Sequence, residues 1–242
     1  MEAMIFAAGL GTRLRPLTND RPKALVEVDG TPILALVGQR LVEAGADRLV
    51  INAHHFLDRI RDFVRQHDFG VEVLLSEEPD APLDTGGGLA QAAPLFRGNA
   101  PVLLHNCDVL STVDLRALYE TQLNGNALAT LAVLPGSDER YLIFDDAGLC
   151  GYAPRGGGAD VCSRDPIGEP RRRDFTGIHV VSPELLATLQ PGAYSIINHY
   201  LALTRAGQRV AMYEQPGVEW LDIGSHEKLA VATAWLRAQQ AG

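Results

Sequence analysis

Arg13, Arg15, Arg21 and Lys23 crowd into one short stretch opposed only by Asp20, in a chain of 242 residues whose formal charge is -9. Two glycines, Gly9 and Gly11, precede the cluster. Glycines at this spacing let the backbone turn sharply and bring amide N–H groups up to phosphate oxygens with no Cβ between them. Arg13 then offers a planar fork of donors, and Lys23 a compact point charge. Anion binding is the chemistry this segment can perform, and phosphate is the anion it suits.

A second candidate is Asp108, which closes the apolar run from Val102 to Cys107. An apolar strand that ends in a carboxylate is a common way to hold a divalent ion beside phosphates. Period-two alternation puts Asn106 and Asp108 on one face and Cys107 on the other. A third is Leu83-Asp84-Thr85-Gly86-Gly87-Gly88, where successive glycines before a helix (expected over 89–95) allow a flat ligand close to the backbone.

Two familiar glycine motifs do not fit the first loop. A dinucleotide fingerprint needs a third glycine where Leu14 stands, followed at once by a helix, whereas Pro16 and Pro22 keep this segment irregular. A Walker A loop counted from Gly9 needs Gly-Lys-Ser/Thr where Leu14-Arg15-Pro16 stands.

The elements that must position these residues follow from apolar periodicity. Strand-like runs at 3–8, 48–53, 71–75, 101–106 and 127–134 alternate with helical spacing at 33–44 and 57–64. That rhythm predicts βαβ units around a mostly parallel sheet, with the first loop at the carboxyl end of the first strand, where open α/β sheets place ligands. Further on, 140–144, 149–153 and 175–181 read as strands, and a glycine-rich and charged loop is expected over 155–173. Helices are expected at 115–121, from about Pro183, and over 196–206 and 227–238. No internal period is found, so a single domain over 1–242 is expected.

Composition narrows the function classes. With 46% hydrophobic and 21% charged residues the chain reads as an ordinary globular protein. Its acidity argues against a nucleic-acid binder, which needs a basic face. Cys107, Cys150 and Cys162 lack the spacing of a thiolate zinc site, and the histidines, His54, His55 and His199 among them, show no ligand spacing. No apolar run reaches the ~20 residues of a membrane span, and Met4 to Ala8 follows without a basic leader, so a cytoplasmic protein with no membrane partner is expected.

The run Gly9-x-Gly11-Thr12-Arg13-Leu14-x-Pro16-Leu17-Thr18-x-x-x-Pro22-Lys23-x-Leu25 resembles the signature of the sugar-1-phosphate nucleotidyltransferases, and the likeness extends over nearly the whole chain. It implies an α/β, three-layer Rossmann-like (GT-A-like) fold. It also implies phosphate roles for Gly11, Thr12, Arg13 and Lys23, with Ala8 and Gly9 beneath the nucleoside. In such enzymes the segment of Thr85, Gly86 and Gly87 lines base and ribose, and Asn106 neighbours the nucleotide. Trp220-Leu221-Asp222-Ile223-Gly224 resembles the element whose Asp is the second metal ligand, so Asp108 and Asp222 are expected to share a Mg²⁺. Phe175-Thr176-Gly177 resembles the segment beside the sugar. The family usually has Gly before the aspartate, where this chain has Cys107.

The implied reaction joins a nucleoside triphosphate to a sugar 1-phosphate and releases pyrophosphate, with UTP expected as the nucleotide. The Leu83 to Gly88 and Trp220 to Gly224 elements look most like those of N-acetylmuramate-1-phosphate uridylyltransferases. Mannose-1-phosphate and heptose-1-phosphate guanylyltransferases share much of the pattern. A non-catalytic sugar-nucleotide sensor would not need Arg13, Lys23, Asp108 and Asp222 together, and the missing third glycine disfavours a nicotinamide-dependent dehydrogenase.

Overall fold

Along the first strand, Ala3 and Ile5 enter one apolar cluster and Met4 enters another, so the strand is buried on both faces and helices must cover each. The computed structural model describes residues 1–78, 80–136, 141–153 and 159–241. Its elements in chain order are β1 Glu2–Phe6, β2 Glu27–Val28, β3 Thr31–Pro32, α1 Ile33–Glu43, β4 Arg48–Ala53, α2 Leu57–Gln66, β5 Glu72–Glu77, α3 Asp84–Ala92, β6 Val102–Asn106 and β7 Val109–Ser111. There follow α4 Leu115–Asn124, β8 Ala129–Pro135, β9 Leu142–Asp145, β10 Gly148–Tyr152, β11 Val161–Cys162, β12 Arg171–Val181, α5 Pro183–Leu186, α6 Ile196–Arg205, β13 Val210–Glu214, β14 Trp220–Asp222 and α7 His226–Ala241.

The central sheet runs β5-β4-β1-β6-β12-β8-β13, and β9, β10 and β11 extend it from the amino-terminal half of β12. Strands β5, β4, β1, β6, β8 and β13 share one direction and β12 opposes them, so the sheet is mostly parallel as its sequence rhythm predicts. One face is covered by α1, α2, α4 and α7 through Leu34, Val37, Ile60, Leu118 and Ala232. The other is covered by α3, α5 and α6 through Leu89, Leu185, Ile196 and Tyr200. The result is a three-layer α/β architecture with a core on each side of the sheet. Among the described residues no helix is long and apolar enough to cross a membrane.

Three expectations are corrected. The helix expected at 89–95 begins earlier, at Asp84, and ends in a single 3-10 turn, Ala93–Leu95, so the three glycines lie inside α3 rather than in a loop before it. The loop expected over 155–173 contains β11, and β12 starts at Arg171, because Arg171–Arg173 pair with Leu142–Phe144 of β9. Residues 155–158 of that stretch, and Arg140 at the start of the expected strand 140–144, lie outside the described residues. β7 and β14, of three residues each, are too short to announce themselves by periodicity, and β13 falls outside the expected strands.

Candidate active site

The carboxyl ends of β1, β4 and β6 meet at one edge of the sheet. Ala7 N donates to Asn52 O at 3.0 Å and Cys107 N to Phe6 O at 3.2 Å, which ties the three strand ends together just where the glycine loop leaves β1. Gly11 takes φ +64°, a left-handed conformation that glycine adopts without the cost a side chain carries. A 3-10 turn, Thr12–Leu14, follows, and Thr18 Oγ1 donates back to Gly11 O at 2.9 Å, so the loop is closed by its own threonine. A Cβ on Gly11 would lie 2.9 Å from Lys23 Cβ, which shows how tightly the loop wraps the lysine stem. Leu14, fully buried, anchors the turn, while Thr12 and Arg13 just before it are exposed.

Asp108 and Asp222, distant in sequence, are brought together. β14 pairs with β7 so that Asp222 lies opposite Val109, and Ile223 N donates to Asp108 O at 2.7 Å. Lys23 Nζ lies 2.5 Å from Asp108 Oδ2, and Lys228 Nζ contacts Asp222 Oδ2. Arg13 approaches from the other side: a Cβ on Gly224 would sit 3.1 Å from Arg13 Nη2 and 2.5 Å from Asp222 Oδ1. Three cations therefore surround two carboxylates, an arrangement suited to exchanging partners when anionic substrates enter. From below, Arg40 of α1 donates to Ser111 Oγ at 3.1 Å and to Val113 O, fixing the segment that follows Asp108. Burial lowers the pKa of this guanidinium to about 10, which leaves it charged near neutrality.

Two cavities open here. The first, of about 390 Å³, is lined by Ala8, Gly9, Lys23, Asn52, Thr85 and Asp108 among others. The second, of about 540 Å³, has Arg13, Tyr141, Phe175, Gly177, Trp220 and Asp222 in its wall. They share Asp84, Thr85, Asn106 and Asp108 as a common partition. A Cβ on Gly177 would meet Asn106 Nδ2 at 2.5 Å, so this glycine lets β12 pack against the partition itself. The Thr176 hydroxyl is committed to Ala132 O at 2.8 Å, and its carbonyl accepts Trp220 Nε1 at 2.9 Å, so Thr176 is at the cavity without offering its hydroxyl to it.

Gly86 and Gly87 are placed differently from the sequence reading. Their N–H groups go to Tyr194 O, at 2.8 and 3.3 Å, and the surface passing close to Gly87 is the Gly192 carbonyl rather than open cavity. Thr85 remains at the cavity wall, its Oγ1 accepting from Ile196 N at 2.9 Å. Cys107, where the family pattern has Gly, sits in the apolar core, and burial pushes its thiol pKa up, with Asp108 adding to the shift, so it stays protonated. Asn52, Glu78, Arg40 and Lys228 escaped the sequence reading. Only Lys228 carried a signal there, a cation six residues beyond Asp222 on the next helix.

Glycine loop, strand-end carboxylates and paired cavities on an open α/β sheet define a phosphate-handling transferase with two substrates. Comparison with known proteins gives the class its family. A sequence profile described as Nucleotidyl transferase matches residues 2–141. The N-acetylmuramate alpha-1-phosphate uridylyltransferase of Caulobacter vibrioides is 32% identical over 97% of this chain and 96% of its own. The protein of the same description from Neisseria meningitidis serogroup B is 32% identical over 97% and 100%. Among solved structures, HddC from Yersinia pseudotuberculosis complexed with GMP-PN superposes with a TM-score of 0.76 at 20% identity, covering 97% of this chain and 99% of that one. The chain belongs to the nucleotidyl transferase family and is an enzyme of its sugar-1-phosphate nucleotidyltransferase type.

Proposed function

We propose that the protein transfers a uridylyl group from UTP to N-acetylmuramate 1-phosphate, with Mg²⁺ as the divalent ion. The observation that carries the two-substrate reading is the pair of cavities divided by Asp84, Thr85, Asn106 and Asp108. The glycine-loop cavity takes the nucleotide, and the aromatic cavity beside Phe175 and Trp220 takes the sugar. Their partition is where the two phosphates must meet. The choice of UTP and of the sugar rests on the relatives that match nearly the full chain.

A sugar-phosphate oxygen attacks the α-phosphorus, forming a new P–O bond as the bond to the β-phosphate oxygen breaks and pyrophosphate leaves. The attacking phosphate is already ionised, so no general base is needed. Catalysis is chiefly positioning and charge neutralisation. Thr12 and the amides near Gly11 cradle the triphosphate, Arg13 steadies the leaving pyrophosphate, and Lys23 counters charge at the partition. Asp108 and Asp222 would hold the ion. They are hard oxygen donors, and no group of three or more His, Cys, Asp or Glu gathers anywhere among the described residues, so phosphate and water oxygens would complete the shell. Magnesium held there would supply charge neutralisation for the phosphates.

The test is a panel of the four nucleoside triphosphates against N-acetylmuramate, glucose, mannose and heptose 1-phosphates, scored by pyrophosphate release with Mg²⁺ and with EDTA. UTP with N-acetylmuramate 1-phosphate should give the highest kcat/KM, and EDTA should abolish turnover. Exclusive use of GTP would move the protein to the guanylyltransferase reading.

A further inference from the structure

Asn52, the penultimate residue of β4, is 2% exposed and forms part of the wall of the first cavity. Its side-chain amide is not free to choose its orientation. Nδ2 donates to Glu78 Oε1, and Glu78, itself 1% exposed, accepts Leu83 N on its other oxygen at 2.8 Å. A carboxylate only accepts, so the NH₂ end of Asn52 must face Glu78 and the carbonyl end must face away. Among the described residues nothing donates to Asn52 Oδ1. The cavity therefore contains, in its wall, a nearly buried acceptor that lacks a partner of its own. An acceptor so placed is open to the cavity, so a ligand that fills the cavity and displaces solvent must offer it a donor or leave a hydrogen bond unmade.

We infer that Asn52 reads the base of the nucleotide, its Oδ1 accepting the imino N–H of a base that carries one, with Glu78 as the positioning residue that locks the amide. This rests on the reading of the glycine-loop cavity as the nucleoside site. Uracil and thymine carry the required hydrogen on N3 and guanine on N1. Cytosine N3 and adenine N1 present a lone pair at the corresponding ring position, which would oppose the lone pairs of Oδ1. A site built around a hydrogen bond rejects the base that cannot make it far more strongly than an apolar pocket rejects a misfit shape. An exocyclic amine could reach the same oxygen only with the base slid along its edge.

The lock makes an unusual substitution informative. In Glu78→Gln one oxygen remains, and Leu83 N requires it, so the new NH₂ faces Asn52. Asn52 must then turn its oxygen to that NH₂ and its own Nδ2 to the cavity. The acceptor in the wall becomes a donor, matched to cytosine N3 instead of uracil N3–H.

The experiment measures Kd for UTP, GTP, CTP and ATP by calorimetry, with Mg²⁺, in the wild-type protein, Asn52→Ala, Glu78→Gln and Gly9→Phe, each checked for folding by circular dichroism. The wild type should bind UTP at least about tenfold more tightly than CTP. Asn52→Ala should bring that ratio near one, and Glu78→Gln should invert it. Gly9→Phe, whose new Cβ would meet nothing within 4 Å, fills the cavity and should remove binding of every nucleotide. Should Gly9→Phe bind nucleotides normally, the cavity is not the nucleoside site and the parent reading falls. Loss of binding in Gly9→Phe with an unchanged UTP to CTP ratio in both Asn52→Ala and Glu78→Gln would overturn the inference alone, as would a wild type that prefers CTP or ATP. If Glu78→Gln does not fold, the ratio in Asn52→Ala decides.

Discussion

At the scale of the residue, the site is a set of charges that are paired with one another before substrate arrives. Lys23 with Asp108 and Lys228 with Asp222 are partly exposed pairs, of side-chain exposure 13% and 32%, and 52% and 23%. Pairs of this exposure contribute little to stability, about 0 to 1 kcal/mol. On the proposed reading, a divalent ion would take the place of the cation beside each carboxylate. Asp108→Asn and Asp222→Asn should therefore each leave the unfolding free energy within about 1 kcal/mol of wild type, since the amide can still accept from its lysine. Each should lower pyrophosphate release by about a hundredfold or more, a loss typical of removing one preorganised electrostatic partner. Paramagnetic resonance of Mn²⁺ with UTP should show weaker ion uptake in both variants. Full activity in either variant would remove that carboxylate from the ion site.

At the scale of the element, α3 shows what its glycines are for. Its amino-terminal residues Asp84 and Thr85 stand in the partition between the cavities, and the helix reaches that position by pressing against the 192–194 segment. A Cβ on Gly87 would lie 1.9 Å from Gly192 O, a backbone atom that cannot swing aside as a side chain end does. Gly87→Ala should displace α3 or the 192–194 segment, costing about 1 to 3 kcal/mol as overpacking does. Thermal unfolding should show the lowered Tm, and KM for nucleotide should rise because Thr85 moves with the helix. An unchanged Tm would mean that the segment yields without strain. β14 carries a different lesson: its three residues matter only because β7 pairs with them and delivers Asp222 next to Asp108.

At the scale of the whole molecule, the layered core buries titratable groups whose charge states couple folding to pH. His179 stacks on Phe175 with ring centroids 5.1 Å apart and meets Tyr200 edge-on at 5.8 Å, and neither of its ring nitrogens has a partner among the described residues. Burial drives its pKa down to about 3, with the neighbouring His105 adding to the shift. Burial, helped by Arg40, does the same to His105. Burial also lowers His199. A histidine held neutral when folded but protonated below about 6.5 when unfolded binds more protons in the unfolded state between those values. Stability is then complete above 6.5 and falls as pH drops toward 3, by up to about 1.4 kcal/mol per pH unit for each such group. Asp145 acts in a separate, lower window. Burial raises its pKa, but the Arg164 fork and the Ile167 and Ala147 amides outweigh that and hold it at about 2, so its contribution is lost only below 3.8. Urea unfolding at pH 7 and pH 5 should show a clear loss of stability at the lower value, and His179→Phe should lose less. Equal stability at both pH values would contradict the burial of these histidines.

The amino-acid sequence by itself determined the alternation of strands and helices, the loop from Gly9 to Lys23 and the strand-end position of Asp108. Those features are local: periodicity, glycine spacing and proline placement act over a few neighbours and are written in consecutive residues. Tertiary structure decided how Asp222 meets Asp108, a meeting expected from the resemblance of two motifs, because the way it is achieved depends on β14 finding β7 across more than a hundred residues. It decided that Gly86 and Gly87 serve a helix contact with Tyr194 and Gly192, since a run of glycines states that something comes close without stating what. And it decided the orientation of the Asn52 amide, which neither Asn52 nor its neighbours in sequence specify, because the carboxylate that fixes it belongs to the segment beyond the next strand, and a buried donor must turn to whichever acceptor the fold places beside it.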